Sequence, residues 1–262
     1  MLTSCLCTEQ RIRSPAFQNW GALLREAPGR MHRKIWEFCL ICEALHERGL
    51  LSPAKVGLGF AVGEEPLSSL FASCGVNIVA TDLATDEARK KGWLDTKEHA
   101  SELSILNRRN ICDPVVFSDR VKFQFCDMNH IAAEFNGRFD FVWSACALEH
   151  LGSIKLGQEF VYNSIKCLKP GGIAVHTTEY NISSKTDTVE NGGTVIFRQC
   201  DIQEIIDTLL SQGHSIEMDW DEGDGPADKF IDVAPYCDDP HLKLQLWQYT
   251  TTSIGLVIKK RM

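Results

Sequence analysis

The sequence predicts an α/β fold, a mostly parallel sheet covered by helices on both faces. Two observations carry that expectation. From about residue 50 onward, short apolar runs with strand character alternate with helical patterns. Those runs are almost continuously apolar, as in strands buried on both sides. The chain has 262 residues, 44% of them hydrophobic and 24% charged, which suits one large domain or a domain with a small cap.

The first 28 residues show weak periodicity and end in Pro28-Gly29, so they read as an arm. Met31 to Arg48 turns helical. Ile35, Phe38, Cys39, Cys42 and Leu45 share a face, and Gly49 closes the run. Residues 1–49 are expected to form an N-terminal arm and short helical cap, and residues 50–262 the main domain. There Ala54 to Leu58 reads as a strand leading into a glycine-rich turn, and Glu65-Pro66 opens a helix. Leu67, Leu70, Phe71 and Cys74 give that helix its apolar face; Gly75 ends it. Val76 to Thr81 is a strand ending at Asp82. Helices are expected over Asp86 to Lys91 and Thr96 to Asn107. Val121 to Phe125 and Phe139 to Ser144 are strands. A helix from Ile154 to Leu168 precedes a turn at Lys169-Pro170-Gly171-Gly172 and a strand from Ile173 to Thr178. Asp201 and Glu204 have capping-box spacing for a helix that ends at Gly213. Ser215 to Trp220 and Ser253 to Lys259 are the last strands.

Charge and composition narrow the function. The chain has 27 Lys and Arg against 35 Asp and Glu, a formal charge of -8, which disfavours capture of nucleic acid or anionic membrane. The longest uncharged run, Pro66 to Thr81, is too short and too polar to span a bilayer. Met1 to Arg13 lacks the layout of a secretory signal, so a cytoplasmic location is expected. The 11 cysteines are then free thiols, with Cys39 and Cys42 as small buried side chains of a helix. Asp219 to Asp239 holds eight acidic residues and one lysine, with Asp224 where a calcium loop needs glycine. It reads as a solvated loop, with a wall of the acceptor site as the alternative. Arg30, Arg33 and Lys34 read as a solvated face, with contact to an anionic acceptor or a cofactor carboxylate as the alternative.

In such sheets ligands bind beyond the carboxyl ends of the strands. Three features sit there. Gly57, Gly59 and Gly63 follow the first main-domain strand, where a backbone without Cβ atoms can approach a ligand. Asp82, 25 positions after Gly57, can accept two hydrogen bonds from ribose hydroxyls. Asp127 ends the third strand and can accept from an adenine amino group. Each alone is an ordinary turn residue; in this order they point to an adenosine-containing ligand.

The stretch Phe139-Asp140-Phe141-Val142-Trp143-Ser144-Ala145-Cys146-Ala147-Leu148-Glu149-His150-Leu151 resembles the fourth-strand motif of class I S-adenosylmethionine-dependent methyltransferases. Cys167-Leu168-Lys169-Pro170-Gly171-Gly172 resembles the segment before that family's fifth strand. The glycine turn, Asp82 and Asp127 match its cofactor residues. Gly59 to Asp82 looks like a bacterial subgroup found near surface-glycan biosynthesis.

The resemblance implies a Rossmann-like seven-stranded sheet with an antiparallel last strand. It implies S-adenosylmethionine as cofactor, held by Gly57, Gly59, Glu65, Asp82, Leu83, Asp127, Met128, Ser144 and Ala145. Trp93 is a further candidate wall. The family's acid two positions before the first glycine is replaced by Lys55; Glu64 or Glu65 stands in for it. A small-molecule or glycan hydroxyl is the expected acceptor. A hydroxyl acceptor needs a base, for which His150, Glu179 and His176 are the candidates; the same group at the end of the fifth strand is also placed to help hold a divalent ion. The competing readings are an NAD(P)-dependent oxidoreductase, which lacks a Tyr-x-x-x-Lys pair here, and an inactive cofactor-binding partner subunit, suggested by Lys55.

Overall fold

The structure, a computed structural model, describes residues 1–90, 99–100 and 102–262. Eleven strands make one sheet: β1 (Ser4–Leu6), β2 (Val56–Gly59), β3 (Asn77–Asp82), β4 (Val121–Phe125), β5 (Phe139–Ala145), β6 (Leu168–Asn181), β7 (Ser215–Ile216), β8 (Met218–Asp219), β9 (Ile231–Asp232), β10 (Lys243–Leu246) and β11 (Tyr249–Lys259). Among the described residues the α-helices are α1 (Glu9–Ile12), α2 (Pro15–Leu23), α3 (Arg33–His46), α4 (Leu67–Ser73), α5 (Thr85–Lys90), α6 (Pro114–Arg120), α7 (Ile154–Lys166), α8 (Gln199–Ser211) and α9 (Pro226–Lys229).

The expected seven strands are present in the order β4-β3-β2-β5-β6-β11, with β7 beside β11. The expected strand over Ser215–Trp220 divides into β7 and β8, and β1, β9 and β10 are additional, which gives eleven among the described residues. β2 to β6 are parallel and β11 is antiparallel to β6. β1 pairs antiparallel with β11, Cys5 opposite Gly255, and parallel with β8. The segment before residue 50 therefore supplies a strand as well as helices.

Side chains alternate between two cores, one on each face. Phe141, Trp143, Val175 and Val257 pack on the side of α3 and α4, whereas Val142, Ala174, Leu256 and Ile258 pack with α7 and α8. Helix α3 buries Trp36, Leu40 and Ile41 completely. A Cβ on Gly255 would lie 2.1 Å from Leu40, so the close approach of α3 to β11 requires glycine there.

Several expected elements move. β6 begins at Leu168, so the expected turn at Lys169–Gly172 lies within it. It becomes a bulge: the pairing shifts from Phe139 opposite Leu168 to Phe141 opposite Ile173. Asp201 caps in the reverse sense. Its carboxylate accepts from Arg198 N at 2.8 Å, from the third position of α8, while Glu204 accepts from Gln158. The helix expected over Thr96 to Asn107 is a 3₁₀ turn at Leu103–Asn107 in its described part. Trp93 lies outside the described residues.

Candidate functional site

The strand order reverses between β2 and β5, and a cavity of about 640 Å³ opens beyond the carboxyl ends there. Its lining comes from the turn after β2 (Ala61–Pro66), the ends of β3 (Asp82, Leu83) and β4 (Asp127, Met128), the end of β5 (Ala145, Cys146) and Glu179 of β6. Helix α3 adds Arg33 and Lys34, and the segment before β10 adds Tyr236 and His241. Ala61 and Cys146 both hold left-handed backbone conformations, φ 46° and 50°, uncommon for residues with a side chain and costing roughly 1–3 kcal/mol each.

Of the sequence-predicted cofactor residues, Glu65, Asp82, Leu83, Asp127, Met128 and Ala145 line this cavity. Asp82 is already engaged: its carboxylate accepts from Gly63 N (3.0 Å), Leu83 N (2.8 Å) and Ala100 N (2.9 Å). It staples the glycine turn to the end of β3. Burial pushes its carboxyl above the usual range against these three donors. Asp127 caps Asn129 N at 2.9 Å and lies 3.0 Å from His130 Nδ1. Glu65 accepts from Trp143 Nε1 at 2.5 Å, and burial pushes its carboxyl up to about 8. Glu64 pairs with Arg108. Lys55, at the foot of β2, pairs with Asp140 at 3.6 Å and is not part of the lining.

Gly57, Gly59 and Ser144 do not reach the cavity. Both glycines make room for aromatic rings of β5. A Cβ on Gly57 would meet Phe141 at 2.4 Å, and one on Gly59 would meet Trp143 at 2.4 Å and Val62 at 2.6 Å. Ser144 is fully buried and bonds His176.

His176 also lies outside the lining. Its ring is pinned between Ser144 Oγ at Nδ1 and Ser164 Oγ at Nε2, both 2.9 Å, and packs edge-on to Phe160. Burial pulls it down to about 3, so it is a neutral core residue. Its position in β6, two residues after Ala174, places it on the α7 side of the sheet, the side away from α3. His150 does line the cavity, with Nδ1 2.9 Å from Gly193 O and 3.2 Å from Thr194 Oγ1.

Glu179 is buried and joined to Arg33 Nη1 at 2.7 Å. Burial pushes its carboxyl up, with Arg33 opposing. Arg33 and Lys34 are not a solvated face. Arg33 Nη1 also reaches Ser253 Oγ at 3.3 Å, Cys146 Sγ at 3.6 Å and Glu37 at 3.9 Å; Lys34 lies 3.6 Å from Glu37. Glu37 is fully buried and accepts from Ser253 Oγ (2.5 Å) and Thr177 Oγ1 (3.1 Å). Burial raises its carboxyl, but Lys34 and Arg33 prevail and hold it below the usual range. Cys146, Glu149 and Glu179 bring ligand atoms within 4.8 Å of one another, the described cluster close enough to hold a cation; the Arg33 guanidinium supplies its counter-charge. The signal for this network was Glu37, an acid inside the apolar face of a helix and four positions after Arg33.

No family model matches the chain, and no curated protein matches it in sequence. Solved structures do. A methyltransferase of Bacillus halodurans C-125 is 13% identical, with a TM-score of 0.50 over 85% of this chain and 99% of that one. Magnesium protoporphyrin IX methyltransferase from Synechocystis PCC 6803, with S-adenosylhomocysteine bound, is 12% identical, with a TM-score of 0.49 over 96% of this chain and 97% of that one. A sarcosine dimethylglycine methyltransferase from Galdieria sulphuraria is 16% identical, with a TM-score of 0.40 over 72% of this chain; the chain spans 57% of that protein's length. Among the described residues no helix is long and apolar enough to cross a membrane. The fold is a Rossmann-like α/β methyltransferase fold with a mostly parallel sheet.

Proposed function

We propose that the chain is an S-adenosylmethionine-dependent methyltransferase that methylates an oxygen of a small molecule or sugar in the cytoplasm. The observation that carries this reading is the convergence of Glu65, Asp82, Leu83, Asp127, Met128 and Ala145, from four strand ends, on one cavity at the sheet's switch point. The turn after β2 and the β3 end would take the ribose, and Met128 would pack on the adenine. Glu65, a buried carboxylate with one N–H donor, is matched to the ammonium of the cofactor's methionine end, and Arg33 or Lys34 to its carboxylate. The sulfonium supplies an already activated methyl group. The protein's part is to align the acceptor, keep water out and accept a proton. Glu179 and His150 stand where the acceptor would meet the end of β5 and β6.

Thermal unfolding with S-adenosylmethionine, S-adenosylhomocysteine, NAD and NADP tests this. A ligand at 100 times its Kd stabilises the folded state by about 2.7 kcal/mol. Shifts with the first two compounds alone are expected. A shift only with a dinucleotide would replace this reading with an oxidoreductase.

A further inference from the structure

A histidine of the cavity wall, His241, and the buried aspartate paired with it have no part in the methyl-transfer site described so far. The parallel pairing of β9 with β10 brings Asp232 and His241 together, Asp232 Oδ2 lying 2.5 Å from His241 Nδ1. Asp232 is 3% exposed, and both its oxygens accept from Cys237 N, at 3.2 and 3.0 Å. A carboxylate so placed has no hydrogen to give, so Nδ1 must donate. The lone pair of the neutral ring then lies on Nε2. The ring lines the cavity, and its one side-chain hydrogen bond among the described residues is the one to Asp232.

The surroundings fix this ring. Its backbone is tied on both sides, His241 N to Met31 O at 2.7 Å and Arg33 N to His241 O at 3.0 Å. His32 stacks on it at 4.7 Å between centroids, and Tyr236 packs edge-on at 5.6 Å. His32 Nδ1 accepts from Lys34 N, so the neutral His32 ring carries its hydrogen on Nε2. The charged and titratable groups facing His241 are therefore Asp232 from β9, His32 and Arg33 at the start of α3, and Tyr236 from the β9–β10 loop. Arg33 reaches Cys146 and Glu179 at the ends of β5 and β6. His241 thus packs on His32, the residue before Arg33, whose guanidinium reaches the ends of β5 and β6.

We propose that His241, oriented by Asp232, is the general base that takes the hydroxyl proton of the acceptor. This rests on the methyltransferase reading. As the acceptor oxygen bonds to the methyl carbon, the carbon–sulfur bond breaks and its electron pair stays on sulfur, leaving a neutral thioether. The proton passes to His241 Nε2, and the imidazolium keeps its Nδ1–H on Asp232. Glu179 already neutralises Arg33. The acceptor class is a small molecule whose hydroxyl can enter beside two stacked imidazoles, one accepting at Nε2 and one donating.

The test needs no acceptor. Histidine-selective ¹⁵N NMR of the full chain reads the tautomer of His241, and acylation by diethyl pyrocarbonate with peptide mass spectrometry reads the reactivity of its Nε2. The expected result is an Nδ1–H tautomer, acylation of His241 ahead of the buried His176, and slower acylation in Asp232→Asn. His241→Gln should keep the wild-type thermal shift with S-adenosylmethionine. An Nε2–H tautomer, or a His241 as inert as His176, overturns the proposal. So does loss of the cofactor shift in a folded His241→Gln, which would make the residue a cofactor ligand. Wild-type protein that shows no shift with S-adenosylmethionine would remove the methyltransferase reading instead, and with it the methyl donor this base serves.

Discussion

Arg33 Nη1 lies 2.7 Å from Glu179 Oε2, and this contact ties the first turn of α3 to the end of β6 across the cavity floor. Glu179 is nearly excluded from solvent and the Arg33 side chain is 14% exposed; burial alone would push the carboxylate toward its neutral form. The guanidinium serves several acids at once. Carboxylates outweigh its own desolvation, Glu179 first, and hold it above its ordinary range.

Removing that cation leaves Glu179 without its partner in a buried site, and Glu37 with Lys34 as its remaining cation. Breaking a buried pair from one side costs about 3–5 kcal/mol. Arg33→Met is expected to lose stability of that order in urea unfolding, and Glu179→Gln in the same background should recover part of it. A loss below 1 kcal/mol would show that water reaches the pair.

Gly59→Val probes packing before it probes any ligand. Its side chain would start 2.4 Å from the Trp143 ring and 2.6 Å from Val62. Overfilling a packed core costs typically about 1–3 kcal/mol. A lowered Tm without any ligand is the expected outcome. An unchanged Tm with lost S-adenosylmethionine binding would return Gly59 to the ligand surface.

Asp82→Ala removes the acceptor shared by the amides of Gly63, Leu83 and Ala100. Hydrogen bonds to a charged group contribute about 1.5–3 kcal/mol each, and an unpaired buried amide keeps its desolvation cost. Amide exchange at Gly63 and Ala100 should quicken, and cofactor affinity should fall with it. Weakened affinity with unchanged exchange would mean that Asp82 acts on the ligand alone.

Glu65 sets a pH dependence. Its carboxyl ionises near 4.5 in an unfolded chain and near 8 in the folded protein. Between those values the folded state holds a proton that the unfolded state has released. Its contribution to stability is complete below pH 4.5 and is lost as pH rises through about 8. Glu65→Gln should flatten that decline when urea midpoints are followed across the window. Affinity for S-adenosylmethionine should rise over the same range in the wild type only, as the carboxylate forms. A parallel decline in both proteins would assign the titration to another group.

Much of the sheet was legible because buried parallel strands are short apolar runs. Val121–Phe125 forms over its expected residues, Ser215–Trp220 divides into β7 and β8, and the others shift by a few positions. β1 was not legible: Ser4-Cys5-Leu6 carries no strand pattern, and what makes it a strand is a partner near residue 255. The cavity was legible where a strand end carries an acid, as at Asp82 and Asp127. His176 was misread because sequence places a residue near a strand end but does not say which face it takes. Asp232 was hidden inside an acidic segment whose composition signals exposure, although it is buried, and His241 lies just beyond that segment. Arg33 and Lys34 read as surface cations for the same reason, since composition does not reveal that Glu37 faces inward.

The pairing of Cys5 with Gly255 has a consequence for synthesis. β11 lies between β6 and β1, and it is synthesised long after β1. Until then β1 lacks its main neighbour and α3 lacks the surface formed by Gly255, so Leu40 and Trp36 stay uncovered. Contacts this remote in sequence close slowly and leave apolar surface exposed meanwhile. The nascent protein would carry α3 as an unfinished sticky face, and its yield in a cell would depend on chaperones that shield residues 33–46 until β11 is made.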